Sequence, residues 1–162
     1  MAADRVPQME ARPFSVRAGV ADDTVLGRLA EMENEPLQDL VTRVVGQEGS
    51  SAVVESLRVE FLRFMSLLYF TDTTISPPPA IDAVWHEFIL DTRRYRGFCS
   101  RYFGAYVDHV PDRSPASDVL PEDGAPRTHE LLTELYEYFD GSIWVGHEAM
   151  CGRPRVIDCI AP

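Results

Sequence analysis

The sequence predicts an all-α protein, a compact irregular bundle of about five helices with a loop-rich C-terminal tail. Two observations predict this class. Apolar residues recur at spacings of three and four along most of the chain, which is the period of helices that pack one face on a core. Prolines, glycines and short polar runs separate these segments, and no pair of alternating apolar segments indicates a β-hairpin.

The length of the chain fits one domain. Its 162 residues, 45% of them hydrophobic, suffice for one real core but not for two comfortable domains. We expect residues 1–20 to form a flexible N-terminal arm, and residues 21–162 to form a single helical domain with a Pro-rich linker at 111–127. No stretch reaches the roughly 20 apolar residues of a membrane span. Residues 1–12 lack the apolar centre of a secretion signal, so we expect a cytoplasmic protein.

The charge balance limits the classes of partner. The net charge is −11, from 26 acidic and 15 basic residues, whereas nucleic-acid binders usually present a basic face. We therefore expect no nucleic acid and no membrane as partner, and instead a small molecule or a partner protein. The alternative is a local basic patch on the central segment, which would comprise Arg93, Arg94, Arg96 and Arg101.

The first two helices are predicted from a cap and a proline. Asp22, Asp23 and Thr24 are cap residues that favour a helix from about residue 25. Pro36 interrupts this segment, because an interior proline removes a hydrogen bond and clashes with the preceding turn. The simplest interpretation is one helix to about residue 34 and a second over 36–45.

The third helix is the most apolar. It is predicted to begin at Ser51, after a polar break at 46–51, and to end near Phe70. Its spacing of three and four indicates an ordinary helix that faces the core. The apolar stripe comprises Val54, Leu57, Phe61, Phe64, Met65 and Leu68.

Two further helices follow. Prolines at 77–79 are tolerated in a first helical turn, so we predict a long central helix over 80–103 that Gly104 ends. After the Pro-rich linker, Thr128 is predicted to cap a last helix that Asp140 and Gly141 end. The apolar face of that helix comprises Leu131, Leu132, Leu135, Tyr136 and Phe139.

The predicted central helix has two different faces at 100° per residue. The core stripe comprises Ile81, Val84, Trp85, Phe88, Thr92, Tyr95, Cys99, Tyr102 and Phe103. Cys99 lies in the middle of this stripe, where a free cysteine behaves as a small hydrophobe. The second face carries Asp82, His86 and Arg93, together with Ile89, Leu90 and Gly97.

The second face suggests a metal site. Asp82 and His86 are four residues apart, so their side chains can meet one turn apart. Both can ligate a metal, or Asp82 can orient the His86 ring; a plain surface cluster is the alternative. His109, with Asp108 beside it, lies beyond Gly104. A fold-back of this loop along the helix would bring His109 towards His86.

The same region resembles a known family. The residues that carry the likeness are Ser76-Pro77, Ile81-Asp82, Trp85 to Leu90, Thr92, Tyr95, Phe98-Cys99, Phe103-Gly104 and His109 to Pro111, with Thr128, Tyr136, Phe139 and Trp144 downstream. This pattern is similar to that of bacterial glycine-rich domain-containing-like proteins. The resemblance implies a compact helical fold and no defined activity. Asp108 stands where those proteins have the first histidine of a pair, which weakens the case for a histidine-rich cage.

Two functional hypotheses follow. In the first, the chain is a small metal-dependent catalyst of a specialised biosynthetic pathway. His86 and His109 bind iron, zinc or copper, and Asp82 or Asp108 supplies a carboxylate. Arg93 or Tyr95 orients the substrate. In the second, the chain is a non-catalytic helical interaction or adaptor module, in which Trp85, His86 and His109 are structural.

A third alternative places a metal in the C-terminal tail. His147, Cys151 and Cys159 offer three zinc ligands, which would staple the tail without catalysis. An incidental set of residues in a loose tail is the simpler interpretation. Three cysteines in all make an odd and sparse set, which argues against a disulfide scaffold.

Overall fold

The protein is a helical bundle with one small β-ribbon. A computed structural model describes residues 12–110, 124–144 and 153–156, and the predicted all-α class is confirmed. Six α-helices and two strands lie in these ranges. In chain order they are α1 (Asp23–Glu33), α2 (Gln38–Val45), α3 (Ser51–Ser66), α4 (Pro79–Leu90), α5 (Thr92–Phe103), β1 (Val107–Val110), α6 (Gly124–Leu135) and β2 (Arg153–Val156). None of the described helices combines the length and apolar character that crossing a bilayer requires.

The first helices begin where their caps predict. The Asp22 carboxylate accepts the Val25 backbone N–H at 2.9 Å and caps α1, which confirms the predicted start. α2 begins two residues after Pro36. α3 is capped by the hydroxyl of Ser50, which accepts the Val53 N–H at 3.3 Å. Its predicted stripe is buried apart from Leu68, which is partly buried.

The prediction of one long central helix over 80–103 is wrong, because the segment forms two helices, α4 and α5. Asp91 has φ −81° and ψ 68°, outside helical values, and its carboxylate accepts the Arg94 backbone N–H at 3.4 Å as the cap of α5. Aspartate followed by threonine is a cap signal that the apolar period concealed. The predicted core stripe still faces the core on both helices, because Trp85 on α4 and Tyr95 on α5 are fully buried.

The segment after α5 folds back onto the helices. Gly104 ends α5 in the left-handed conformation (φ 69°), which glycine adopts without strain. β1 then runs as an extended strand and pairs antiparallel with β2, with His109 opposite Pro154. This ribbon holds β1 in the position where it meets α4.

The last helix begins before its predicted cap. Thr128 lies inside α6 and is fully buried, and its hydroxyl accepts the Ser76 N–H at 2.8 Å. It therefore joins α6 to the start of α4 instead of capping a helix. Of the predicted linker, residues 111–123 lie outside the described residues, and the remainder belongs to α6.

Part of the predicted N-terminal arm packs on the core. Phe14 and Val16 are fully buried, and Val16 forms an isolated bridge with Tyr136 at the end of α6. Residues 1–11 lie outside the described residues. The bundle therefore includes a short segment that its prolines and lack of period made look like a loose arm.

A buried ion pair joins three parts of the chain. The Glu60 carboxylate, on α3, accepts from Arg63 one turn later, from the Asp140 backbone N–H at 2.9 Å and from Trp144 Nε1 at 2.7 Å. The Arg63 guanidinium also reaches the Phe14 carbonyl oxygen at 3.3 Å. Both charged side chains are almost fully buried, so the N-terminal segment and residues 140–144 depend on this pair.

We predict that Glu60→Gln lowers the free energy of unfolding by about 3–5 kcal/mol, because it leaves the Arg63 charge buried without a counter-ion. Urea unfolding followed by circular dichroism measures the change. Glu130→Gln is the control, since the Glu130–Arg127 pair is exposed and its loss is expected to cost less than about 1 kcal/mol. Equal effects of the two substitutions would contradict the role given to Glu60.

Candidate metal centre

The candidate site is built around the carboxylate of Asp82. This residue lies in the first turn of α4, one turn before His86, and only 12% of its side chain is exposed. A carboxylate removed from water needs hydrogen-bond donors or a cation to offset its lost hydration. The side chains placed against Asp82 are therefore the first evidence about the site.

His86 approaches Asp82 along the helix. Its Nδ1 lies 3.0 Å from Asp82 Oδ2 and 2.9 Å from the Asp82 carbonyl oxygen. Its side chain is 53% exposed, so one side of the ring faces solvent. The i to i+4 spacing predicted this contact.

His109 approaches from β1. Its Nε2 lies 2.7 Å from Asp82 Oδ1, and only 4% of its side chain is exposed. The two imidazole rings lie 4.4 Å apart between centroids. The fold-back that the site required is therefore present, and it depends on the turn at Gly104 and on the pairing of β1 with β2.

Together the three side chains form a group that could hold a metal ion. Asp82, His86 and His109 each offer one ligand atom, and these atoms all lie within 4.8 Å of one another. Two ligands of one ion with bonds near 2 Å lie about 3 Å apart, so a small movement of the side chains would suffice. Imidazole and carboxylate suit zinc, iron and copper.

A chain of contacts behind the site fixes the His109 ring. The Trp85 ring packs edge-to-face on His109 with centroids 4.5 Å apart. Its Nε1 donates to the Tyr95 hydroxyl oxygen at 2.9 Å, and that hydroxyl donates to the Val107 carbonyl oxygen at 2.6 Å. Tyr95 therefore connects α4, α5 and β1. Sequence reasoning assigned Trp85 and Tyr95 to the core but missed this connection, which no local pattern reveals.

The other predicted site residues lie apart from this group. Asp108 precedes His109 in β1, and side chains alternate along a strand, so the Asp108 side chain lies on the opposite face of the strand from His109. Arg93 is exposed on α5. The break at Asp91 removes the shared helical face that placed Arg93 beside His86.

The predictions for Cys99 and for the C-terminal tail have different outcomes. Cys99 is free and buried, and burial raises the pKa of its thiol, which fits the predicted role as a small core residue. His147, Cys151 and Cys159 lie outside the described residues, so the stapled tail stays a prediction.

Comparison with known proteins corrects the family. A family model described as UCP032817-like matches residues 31–139, which include α2 to α6 and all three members of the Asp–His group. The resemblance to glycine-rich domain-containing-like proteins is therefore wrong. No curated protein and no solved structure matches the chain.

We predict that Tyr95→Phe lowers the free energy of unfolding by about 1–3 kcal/mol, because the buried Trp85 indole and Val107 carbonyl each lose a partner. Chemical denaturation measures the loss. Tyr138→Phe is the matched control, since Tyr138 is 66% exposed. Unchanged stability of Tyr95→Phe would show that this hydroxyl does not hold β1 in place.

We also predict an alkaline decline in stability. Burial raises the pKa of the Cys99 thiol and of the Tyr95 and Tyr136 phenols above their ordinary values, and raises the pKa of Tyr102 to about 12. A raised pKa in the folded state contributes stability that is fully present below the unfolded pKa and is lost as the pH rises towards the folded one. The urea midpoint should therefore fall above about pH 9 and continue to fall beyond about pH 10.

Tyr102→Phe tests one component of this decline. It removes a group that titrates near 10 in the unfolded chain and near 12 in the fold, so the slope between these values should become shallower. An unchanged urea midpoint from about pH 8 to 11 in the wild type would disprove the prediction.

Proposed function

The chain belongs to the UCP032817-like family, and we propose that it is a metal-binding protein whose Asp82, His86 and His109 side chains hold one divalent transition-metal ion. The observation that carries the proposal is the convergence of three ligand atoms, from α4 and from β1, within 4.8 Å. Two of these residues lie 23 positions or more from His109 in sequence, so helical spacing alone does not explain the group.

The ligand set favours a catalytic over a structural ion. Structural zinc usually has four protein ligands, whereas catalytic sites keep a position open for water or substrate. The described residues supply three ligands, two imidazoles and one carboxylate. The half-exposed His86 ring leaves the open position on the solvent side. When bound, the ion would supply an activated water or a position for oxygen or substrate.

The surrounding residues have separate parts in this proposal. Asp82 would bind through its carboxylate, with the ordering of His109 maintained by Trp85 and Tyr95. Tyr95 makes both of its phenol hydrogen bonds inside the protein, so a positioning role suits it better than substrate contact. Zinc, iron and copper all fit the donors. A biosynthetic role and an orienting role for Arg93 stay predictions.

A second candidate function is structural. The 2.7 Å contact between His109 Nε2 and Asp82 Oδ1 is a complete hydrogen bond that needs no ion. In this alternative the histidines tie β1 to α4, and the chain is a non-catalytic interaction or adaptor module. The two candidates predict different consequences for the substitution of His86, because His86 is the exposed member of the group.

We predict that untagged wild-type protein retains about one zinc ion per chain after dialysis against dilute Zn²⁺, measured by mass spectrometry of metal content. His86→Ala should bind at least about tenfold more weakly, and its melting temperature without metal should hardly change, because the ring is half-exposed. Asp82→Asn should also lose the ion. His129→Ala is the control: it removes an exposed histidine outside the group and should bind normally.

Other outcomes decide against the metal. If wild-type protein retains no zinc, iron or copper, and His109→Ala costs about 1–3 kcal/mol of stability because Asp82 Oδ1 loses its His109 partner, the structural candidate stands and the metal centre is wrong. Equal metal content in wild type, His86→Ala and Asp82→Asn would place any bound ion elsewhere.

A further inference from the structure

The arginines of α5 divide into two groups. Arg94 donates to both Asp39 carboxylate oxygens at 3.0 Å and to the Pro36 carbonyl oxygen. Arg101 pairs with Glu35 at 3.2 Å. These two side chains bind α5 to the start of α2 and to the segment that joins it to α1, so their charges are already used within the fold.

Arg93 and Arg96 are different. Both are exposed, and neither makes a hydrogen bond or ion pair with any residue in the described ranges. Every other arginine whose side chain is described makes at least one such contact. The arginines with such a contact are Arg12, Arg17, Arg28, Arg43, Arg58, Arg63, Arg94, Arg101 and Arg127. Among the described residues, these two neighbouring cations therefore have no acidic partner, on a chain of net charge −11.

The two cations share one helical face with small residues. Arg93, Arg96, Gly97 and Ser100 follow the spacing that aligns side chains on one side of a helix, and all four are exposed. We call this the basic face of α5. A Cβ built on Gly97 would have no atom within 4 Å, so the centre of the face is low and open, and an approaching chain can come close to the α5 backbone.

An aromatic side chain borders this face. Tyr106 is 38% exposed and packs edge-to-face on Tyr95 with centroids 5.3 Å apart. The Arg96 charge lies close enough to Tyr106 to oppose the rise in its pKa that burial causes. Exposed tyrosine and arginine are the residue types enriched at protein interfaces.

We propose that the basic face of α5 is a docking surface for an acidic segment of a partner protein. Two carboxylates of that segment would pair with the guanidinium groups of Arg93 and Arg96, whose planar fork matches a carboxylate. The open position at Gly97 receives the partner backbone. The proposal stands on contacts separate from the metal centre and does not require a bound ion.

Charge favours a peptide over a nucleic acid as the occupant. Binding to a duplex gains its affinity from the neutralisation of many phosphates, whereas this face offers two cations within a strongly acidic chain. Long-range repulsion by the rest of the molecule would oppose a polyanion. A short acidic segment contacts only a small part of the surface. The acidic faces of the protein repel such a segment, and this repulsion favours its binding to the basic face of α5.

The test uses full-length ¹⁵N-labelled protein and a peptide of repeated Glu-Glu-Leu triplets as the probe. The Gly97 amide and the Arg93 and Arg96 Nε–H resonances should shift on titration, and the affinity should fall as salt is raised. The double variant Arg93→Glu/Arg96→Glu should bind about tenfold more weakly. Arg17→Glu/Arg28→Glu is the matched control, since it makes the same change in net charge at exposed arginines that do not belong to the basic face.

Specific results would overturn the proposal. They are equal weakening by the two double variants, the absence of any shift at Gly97, and tighter binding of a single-stranded RNA of equal charge than of the peptide. A melting curve checks that each variant is folded. If the charge-reversed pair does not fold, Arg93→Gln/Arg96→Gln replaces it, and the same tenfold criterion applies.

Discussion

The burial of the Asp82 carboxylate is the constraint on which this region depends. A carboxylate that is 12% exposed must find donors or a cation, and its two oxygens face His86 and His109. The first partner comes from the same helix, but the second comes from a strand 27 positions away. The Asp82 carboxylate therefore gains its second partner only when β1 docks on α4. This holds whether a proton or a metal ion lies between the carboxylate and the imidazole rings.

Rigid aromatic packing turns this contact into a defined site. Trp85 packs against the His109 ring and also against Phe64 of α3. Tyr95 then joins the Trp85 indole to the β1 backbone. Flexible surface histidines would sample many separations, whereas His109 is confined by neighbours that are themselves in the core. Preorganisation of this kind is what a metal site requires of its ligands.

Polar groups elsewhere follow the same rule of compensation. Glu60 and Arg63 are both buried and hold the chain segments before α1 and after α6. Arg94 and Arg101 are satisfied by the α1–α2 side of the bundle. Against this background, Arg93 and Arg96 stand out, because neither side chain pairs with any of the described residues, and this is why we propose the basic face of α5 as a docking surface.

Most of the helices, the core stripe through Trp85, Tyr95 and Cys99, and the contact between Asp82 and His86 could be predicted from the sequence, because periodicity, caps and i to i+4 spacing are local. The break at Asp91 also has a local signal, because Asp91 and Thr92 form an N-cap sequence within a segment of helical apolar period. The contact of His109 with Asp82, the opposite placement of Asp108 and the pairing of the described arginines became visible only in the folded chain. These depend on the turn at Gly104, the β1–β2 pairing and the Tyr95 hydrogen bonds, which join residues far apart in sequence and leave no periodic trace.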